Sequence, residues 1–574
     1  MAEITVERNV DMKMRDGTIL RGDVYRPAEG GPFPVLLHRL PYNKSYAWIA
    51  AALMLNPLNG ADQGYAVVLQ DCRGRFESEG EWTPFHSEID DGYDTVEWCA
   101  EQPWSNGKVG IYGSSYMGVT GWQAVAAAPP HLEAAFIYLT GANYHEGWVY
   151  TGGAFELGFN LWYSLFLGWD KLFKLPEDKQ GPAMQKMFEA ASNLSQAYQH
   201  LPLKELPVFE DVAPFYYDWL AHPSYDEYWQ EVNVEARCDK ITVPVLQMTG
   251  WFDNFLIGHL NTFRNIREQG GTDKARENQK IIIGPWTHEN YLSLTMSKVG
   301  DMECGVVAMP NAELITFRWF DHWLKDVDTG MMDEPPVRIF VTGANEWRDE
   351  EDWPLERAKE TAWYLHSGGQ ANTLDGDGAL TLVPPDNEPT DTYAYDPSDP
   401  VPTVGGRTLM PGVATDGFRD QRCVEERPDV LVYTSPMLMK DTEVTGPVVL
   451  KLWAASSCRD TDFTAKLVDV HPDGYAAIVA DGILRARYRE SLAQPKLLEP
   501  GQIYELTIDL WATSLVFKNG HRIRVEVSSS NFPRFDRNLN TGEDNAGEAQ
   551  MQTAIQTIYH DAKHPSHIVL PIVE

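Results

Sequence analysis

The stretch that decides the fold is Lys108-Val109-Gly110-Ile111-Tyr112-Gly113-Ser114-Ser115-Tyr116-Met117-Gly118. A short β-branched strand runs here into a glycine-flanked serine turn, and an alanine-rich helix follows over 119–128. This order predicts a nucleophile elbow, a tight strand-to-helix turn that holds a serine in a strained backbone conformation with its hydroxyl exposed. The first N–H groups of the helix then point to the place where a carbonyl oxygen becomes an oxyanion.

Two adjacent serines compete for the centre of this turn. The elbow pattern has a glycine two residues before the nucleophile. That position is Gly113 for Ser115, but it is the bulky Tyr112 for Ser114, so we predict Ser115 as the nucleophile. The second glycine comes one residue late, at Gly118, and the motif alone also fits a serine in an ordinary strand-to-helix turn.

An acid and a base follow the serine in the chain order Ser, Asp, His of an α/β-hydrolase. Residues 241–250 resemble a buried strand that leads to Asp253, and residues 280–286 form a β-branched run that leads to a loop histidine, His288. Parallel sheets carry functional residues just past the carboxyl ends of their strands. Each residue alone also fits a bland role, Asp253 as a turn or helix cap and His288 as a solvated side chain. Their order after the elbow favours a catalytic triad.

Five motifs together resemble one known family. In chain order they are Pro41-Tyr42-Asn43-Lys44, Gln70-Asp71-Cys72-Arg73-Gly74 with Ser78-Glu79-Gly80, Gly113-Ser114-Ser115-Tyr116-Met117-Gly118, Gly250-Trp251-Phe252-Asp253, and Gly284-Pro285-Trp286-Thr287-His288. The chain resembles the group of cocaine esterases, α-amino-acid ester hydrolases and glutaryl acylases, which is related to the X-Pro dipeptidyl peptidases. Residues 317–324 and 335–340 extend the resemblance, so that it covers nearly the whole chain.

The resemblance implies roles for five residues of an α/β-hydrolase core. Ser115 is the nucleophile, His288 the general base and then acid, and Asp253 the residue that fixes the imidazole tautomer. The hydroxyl of Tyr42 and the backbone N–H of Tyr116 form the oxyanion hole. The sequence agrees for Tyr42, because the segment before it reads as a strand and this fold places half of its oxyanion hole in the loop that follows. An ordinary surface aromatic is the alternative for Tyr42.

The pattern of the chain divides into three parts. Strands and helical stretches alternate over 1–147 and again over 241–353, which predicts one mostly parallel sheet. Residues 148–240 lack strand patterns and are rich in aromatics, which predicts a helical cap over the active site. Residues 354–574 have short alternating strands between turns rich in Gly, Pro and Asp, typical of a β-sandwich. The family resemblance makes this sandwich a jelly roll of the galactose-binding type.

Charge and composition restrict the partners. The 574 residues carry 83 acidic and 47 basic side chains, a formal net charge of −36. This charge repels nucleic acid and anionic membranes, and no apolar run approaches the ~18 to 20 residues that span a bilayer. The first residues lack the basic and apolar segments of a secretory signal, so we expect a cytoplasmic protein. Nothing in the sequence sets the oligomeric state.

No cofactor or metal ion is expected either. The sequence has no Gly-rich phosphate loop and no HExxH motif, and the acidic stretch at 326–330 fits a turn better than a calcium loop. The six cysteines are scattered without a CxxC pair, so they indicate neither a zinc site nor a disulfide framework.

We therefore expect a serine hydrolase that cleaves a small carboxylic ester, or an amide, through an acyl-enzyme. Trp148, Trp162 and Phe255 are candidates for an aromatic wall of the substrate pocket, although most aromatics of the predicted cap must form its own core. Alternatives with related chemistry are an acyltransferase, an amino-acid ester hydrolase or β-lactam acylase, and an X-Pro dipeptidyl peptidase. A non-catalytic glycan-binding protein is the alternative outside enzyme chemistry, and the intact Ser, Asp and His argue against it.

Overall fold

The structure is a computed structural model that describes residues 3–45, 55–292 and 295–574. The described chain contains a mostly parallel central sheet, a largely helical segment between two strands of that sheet, and a strand-rich carboxyl-terminal part. None of the described helices is both long and apolar enough to cross a membrane.

The first part of the chain builds one half of the central sheet. Its strands are β1 (Ile4–Lys13), β2 (Ile19–Pro27), β3 (Phe33–Leu40), β4 (Ala66–Asp71), β5 (Ser105–Ser114) and β6 (Leu132–Tyr138). Its helices are α1 (Pro57–Asp62), α2 (Glu88–Ala100) and α3 (Ser115–Ala127). The helix after the serine turn starts at 115 rather than at the predicted 119, because β5 and α3 follow each other with no loop residue between them.

The next segment is mostly helical. Two short strands, β7 (Tyr150–Thr151) and β8 (Ala154–Phe155), pair with each other, which corrects the expectation that strands are absent here. The helices are α4 (Leu157–Lys174), α5 (Glu177–Ser192), α6 (Leu194–Gln199), α7 (Phe215–Ala221) and α8 (Glu227–Gln230). The chain breaks between α5 and α6 at Asn193, because this side chain accepts a hydrogen bond from the N–H of Gln196 and starts α6 as its N-cap.

The chain then returns to the central sheet. The elements of this part are β9 (Val245–Phe252), α9 (Leu256–Gln269), α10 (Asp273–Glu277), β10 (Lys280–Thr287), α11 (His288–Leu292), β11 (Lys298–Val299), β12 (Met302–Glu303), α12 (Ala312–Lys325), β13 (Val337–Val341) and β14 (Glu346–Glu350). Among the described residues the strand order is β1-β2-β4-β3-β5-β6-β9-β10-β13-β14. The strands from β4 to β13 in this order are parallel to one another. The outer pairs β1–β2, β2–β4 and β13–β14 are antiparallel.

The parallel strands are mostly apolar and largely buried. In β4 and β9 every residue is buried, as expected of strands that are covered on both faces. Because parallel strands end at the same edge of a sheet, the loops after β3, β5, β9 and β10 meet at one place.

The carboxyl-terminal part is a network of paired strands. The strands are β15 (Lys359–His366), β16 (Ala379–Thr381), β17 (Asp391–Tyr395), β18 (Leu431–Thr434), β19 (Thr442–Ser456), β20 (Asp462–Val470), β21 (Ala476–Arg485), β22 (Tyr504–Phe517), β23 (Arg522–Ser528), β24 (Ala554–Asp561), β25 (His564–Pro565) and β26 (His567–Val573), and one helix is α13 (Arg422–Glu425). The short alternating strands expected in this part are present, with alternating stretches at 448–454 and 522–527 inside β19 and β23. Short 3₁₀ helices lie at Leu203–Glu205, Glu235–Lys240, Val306–Ala308, Met331–Asp333 and Ala486–Tyr488.

A buried arginine joins the strand-rich part to the central sheet. Arg407 is only 1% exposed, and its guanidinium donates to the backbone carbonyls of Trp251 in β9 and of Asp481, Leu510 and Ala512 in the strand-rich part, at 2.8 to 3.2 Å. The carboxylate of Asp481 lies 3.7 Å away. Burial lowers the pKa of Arg407 to about 10, so the group still carries its charge at neutral pH. The arginine thereby holds the end of β9 against the other part of the chain.

Replacement of this arginine should destabilise the protein. In Arg407→Met the four carbonyls lose their donor and the Asp481 carboxylate keeps Arg534 as its guanidinium partner, and removing one partner of a buried ion pair costs about 3 to 5 kcal/mol. We expect the first thermal unfolding transition, followed by scanning calorimetry, to fall by several degrees. Arg422→Met is the matched control, since Arg422 lies at the surface and pairs only with Asp420 within two residues. An equal fall in both variants would contradict the role given to Arg407.

Candidate active site

Four loops at one edge of the central sheet bring the predicted site residues together. Tyr42 follows β3, Ser115 follows β5, Asp253 follows β9 and His288 follows β10. In the sheet, β3 lies beside β5, and β9 lies beside β10, with only β6 between the two pairs. Residues that are far apart in the chain therefore share one edge.

The serine turn has the backbone of a nucleophile elbow. Ser115 has a φ of 52°, in the left-handed region that non-glycine residues rarely adopt, whereas Ser114 is extended with a φ of −112°. A Cβ on Gly113 would lie 2.3 Å from the carbonyl oxygen of Met117, so only glycine fits there. A Cβ on Gly118 would lie 2.5 Å from the Thr140 side chain, which explains why the second glycine is at 118.

Ser115, His288 and Asp253 form a chain of polar contacts. Nε2 of His288 lies 3.2 Å from Oγ of Ser115, and Nδ1 lies 3.1 Å from Oδ1 of Asp253. Asp253 also accepts hydrogen bonds from the Thr249 hydroxyl at 3.1 Å and from the backbone N–H of Phe255 at 3.2 Å. The imidazole is 2% exposed and the carboxylate is fully buried. His288 is the first residue of α11 rather than a loop residue as predicted, because the chain turns into a helix directly after β10.

Two further groups face the serine. The hydroxyl of Tyr42 lies 2.8 Å from the hydroxyl of Tyr163 in α4. Burial raises the pKa of the Tyr42 phenol, and its hydrogen bonds with Tyr163 and Ser115 oppose this only in part, so Tyr42 is a protonated donor at neutral pH. Tyr116 is the second residue of α3, and its N–H belongs to the first helical turn, which has no intrahelical acceptor. The Tyr116 hydroxyl is used elsewhere, since it accepts from the N–H of Phe85 at 2.8 Å.

Two buried cations hold the loop that carries Tyr42. Arg75 donates to the carbonyl of Pro41 at 3.0 Å and to the carbonyl of Leu167 in α4 at 3.1 Å. The ammonium of Lys44 lies 2.8 Å from the carboxylate of Asp71, and both side chains are fully buried. Burial lowers the pKa of Arg75, and the nearby Asp170 carboxylate opposes this effect. The loop is thereby tied both to the sheet and to the helix that carries Tyr163.

The predicted pocket aromatics lie close to the site but differ in exposure. The rings of Trp148 and Phe255 stack at 4.2 Å, and Phe255 meets the imidazole of His288 edge-on at 5.2 Å. Both aromatic side chains are at most 1% exposed. Trp162 is partly buried and stacks on Phe166 at 5.7 Å. A cavity of about 470 Å³ adjoins Tyr42 and is lined by aromatics of α4, namely Phe166, Trp169 and Phe173.

Several residues of the site were not found from the sequence. Tyr163 and Arg75 contact the Tyr42 loop, and Asp416 reaches the surroundings of His288 from the strand-rich part. Burial raises the pKa of Asp416 and of Glu289, the Asp416 carboxylate raises that of Glu289 further, and the nearby imidazole of His288 lowers both. Glu289 directly follows His288, and Arg75 lies between the two parts of the motif at 70–80, but Tyr163 and Asp416 lie in segments with no recognisable motif.

Comparisons with known proteins agree with this geometry. Residues 16–290 match the X-Pro dipeptidyl-peptidase (S15 family) profile, and residues 329–569 match that of the X-Pro dipeptidyl-peptidase C-terminal non-catalytic domain. The chain is 41% identical to a cocaine esterase of Rhodococcus sp. (strain MB1 Bresler) over 99% of both chains. It is 24% identical to a putative Xaa-Pro dipeptidyl-peptidase of Bacillus anthracis over 82% of this chain and 70% of that relative.

Two solved structures are similar over the whole chain. An aminopeptidase from a marine sediment archaeon, Thaumarchaeota archaeon, has a TM-score of 0.81 at 26% identity, and covers 100% of this chain and 97% of its own. An α-amino-acid ester hydrolase has a TM-score of 0.78 at 26% identity with the same coverage.

The fold and the relatives define a serine ester hydrolase with an α/β-hydrolase-like core and a strand-rich carboxyl-terminal domain. The chain belongs to the X-Pro dipeptidyl-peptidase (S15) family. The predicted resemblance and the predicted ester hydrolase are thus confirmed, and the X-Pro peptidase alternative has the weaker support of the two.

Proposed function

We propose that this enzyme cleaves carboxylic esters through an acyl-enzyme formed on Ser115. In this scheme Oγ of Ser115 attacks the ester carbonyl while Nε2 of His288 takes the hydroxyl proton. His288 then gives that proton to the leaving alcohol, and a water molecule activated by the same imidazole releases the acid. Asp253 keeps the proton of the imidazole on Nδ1 and stabilises the cation that forms during each step.

One observation carries this proposal above the others. A serine in a left-handed, strained conformation lies within 3.2 Å of an imidazole whose other nitrogen faces a buried carboxylate at 3.1 Å. Backbone strain of this kind persists only where the surrounding structure enforces it, and it is concentrated at functional sites. Glycan binding requires neither a strained serine backbone nor an imidazole aligned with the serine hydroxyl. The site therefore offers no support for the non-catalytic, glycan-binding alternative.

The oxyanion hole is proposed to consist of the Tyr42 hydroxyl and the Tyr116 N–H. The Tyr42 hydroxyl comes from the loop after β3, and the Tyr116 N–H comes from the first turn of α3, directly after Ser115. A fixed donor at this place acts mainly in the transition state, when the carbonyl oxygen becomes negative. Because burial keeps the phenol of Tyr42 protonated, this residue is suited to donate and not to act as a base.

The finer parts of the architecture are also proposals. We assign residues 1–147 and 241–353 to the hydrolase core, 148–240 to a helical cap, and 354–574 to a jelly roll. The contact between the hydroxyls of Tyr163 in α4 and Tyr42 supports a cap that reaches the catalytic serine. The substrate is proposed to be a small ester, with Trp148, Trp162 and Phe255 forming the wall of its pocket.

The nucleophile assignment has a direct test with a built-in control. Ser115→Ala should abolish covalent labelling by a fluorophosphonate and nearly all ester hydrolysis, because no other hydroxyl lies against Nε2 of His288 in the proposed scheme. Ser114→Ala should keep both, since Ser114 is fully buried in extended backbone at the end of β5. Labelling followed by mass spectrometry of the intact chain distinguishes the two. Labelling that survives in Ser115→Ala would overturn the assignment.

The role of the two tyrosines can be separated by a double-mutant cycle. Tyr42→Phe should lower kcat by about 10²- to 10³-fold with little change in KM, because an oxyanion donor acts mainly in the transition state. Tyr163→Phe should lower kcat by about fivefold, since it removes one hydrogen bond, worth about 1 kcal/mol, that orients the Tyr42 hydroxyl. In the Tyr42→Phe background the second substitution should have almost no further effect.

Tyr198→Phe is the matched control for this cycle. Tyr198 is also a buried tyrosine of the helical segment, but its hydroxyl donates to the carbonyl of Gly158 at 2.9 Å. It should leave kcat unchanged. If Tyr163→Phe lowers kcat equally in the wild-type and Tyr42→Phe backgrounds, then Tyr163 does not act through Tyr42.

Acyl selectivity tests the proposed pocket. Apolar acyl groups gain about 25 cal/mol per Å² of buried surface, and one methylene in an apolar pocket is worth roughly 1 to 3 kcal/mol of specificity. Hexanoyl and benzoyl esters should therefore have a higher kcat/KM than acetyl esters of the same alcohol. Trp162→Leu should flatten this series. Phe188→Leu should not, because Phe188 is a 53% exposed aromatic of the neighbouring helix α5. A flat wild-type series would mean that these aromatics only form the core of the helical segment.

A further inference from the structure

Three metal-ligating side chains meet at one end of the strand-rich domain, away from the loops that carry the serine site. Asp469 lies near the end of β20, His471 lies in the turn that leads to β21, and His521 directly precedes β23. Their ligand atoms all lie within 4.8 Å of one another. This group is not recognisable from the sequence, because His521 lies fifty residues after His471 and the three residues follow no known ligand spacing.

The distances around the shared carboxylate suit a tetrahedral ion. Oδ2 of Asp469 lies 3.0 Å from Nδ1 of His521 and 3.4 Å from Nε2 of His471. Zinc holds nitrogen and oxygen ligands at about 2.0 to 2.2 Å, so its ligand atoms in a tetrahedron are about 3.3 to 3.5 Å apart. The two imidazole rings are tilted by 33° with centroids 4.3 Å apart, and all three ligand atoms lie within 4.8 Å of one another.

One of the donors lacks a hydrogen-bond partner within the described chain. Nε2 of His471 is buried and makes no hydrogen bond there, although it faces Asp469 at 3.4 Å. Buried polar atoms normally have a partner. A cation bound between this nitrogen and the Asp469 carboxylate would replace their loose 3.4 Å contact with two ligand bonds.

Charge and access favour a small cation at this place. Asp469 is 2% exposed, and the carboxylates of Asp441 and Asp473 act on the two histidines from the flanking turns. The adjacent Arg522 directs its guanidinium to the carbonyl of Ser435 at 2.9 Å rather than to Asp469. A cavity of about 480 Å³ reaches His471 from solvent, so an ion and a water ligand have room to enter.

We propose that Asp469, His471 and His521 form a zinc site with two imidazole ligands, one carboxylate ligand and a water molecule. Imidazole and carboxylate together suit zinc among the common divalent ions, whereas magnesium and calcium prefer sites made of oxygen alone. The ion ties the turn between β20 and β21 to the turn before β23. The site therefore stabilises the strand-rich domain and takes no part in ester hydrolysis.

Zinc titration of the full chain tests this site. The protein is treated with EDTA, desalted and titrated with Zn²⁺ by isothermal titration calorimetry, and its thermal unfolding is recorded with and without the ion. We expect one Zn²⁺ per chain and a higher unfolding temperature in its presence, with hydrolysis unchanged. Replacement of Zn²⁺ by Co²⁺ should give the visible absorption of a tetrahedral complex.

Two ligand variants and one control decide the assignment. His471→Ala and His521→Ala should each weaken Zn²⁺ binding by about tenfold or more and remove the rise in unfolding temperature, while their unfolding without metal stays close to that of the wild type. His564→Ala should bind as the wild type does, since His564 is another turn histidine of the same domain, next to Asp561 at 3.2 Å. Absence of stoichiometric binding to the wild type, or binding that both ligand variants retain, would overturn the proposal.

Discussion

The left-handed backbone at Ser115 is the constraint on which the rest of the site depends. The turn is possible only because β5 ends one residue earlier and because Gly113 leaves space for the carbonyl of Met117, where a Cβ would lie 2.3 Å away. Thr140 closes the turn from the other side against Gly118. A strained residue of this kind costs about 1 to 3 kcal/mol, and the buried strands on both sides of β5 supply the packing that offsets it. The hydroxyl is therefore fixed before any substrate arrives.

Preorganisation continues outward from this turn through buried polar contacts. Arg75 holds the Tyr42 loop to α4, and Arg407 holds the end of β9, next to Asp253, to the strand-rich domain. Both arginines bond mainly to backbone carbonyls rather than to single carboxylates. A guanidinium offers five donors in one plane, so one side chain can fix several loops at once. The strand-rich domain thus contributes to the position of the catalytic carboxylate although it is described as non-catalytic in the matching family.

The sequence was informative where chemistry and local backbone coincide. Ser115, Asp253 and His288 each follow a strand with a strong apolar pattern, and their order along the chain is that of the fold, so their meeting at one sheet edge was predictable. Tyr163 was not, because it belongs to a helix whose aromatic residues are alike in sequence and differ only in what they face. Asp416 and Arg407 come from a domain that joins the core through tertiary packing alone. Long-range contacts of this kind leave no local pattern.

The electrostatics of the site bear on which acyl groups it accepts. Glu289 and Asp416 lie near His288, and partial burial raises the pKa of both carboxyl groups, although Glu289 stays exposed to solvent. A substrate carboxylate placed beside them would add a further unpaired negative charge in the same surroundings, at a cost that rises as water is excluded. A neutral acyl group avoids this cost and meets the edge of Phe255 next to the imidazole. We therefore expect the surroundings of His288 to favour neutral, apolar esters over acids that keep a free carboxylate.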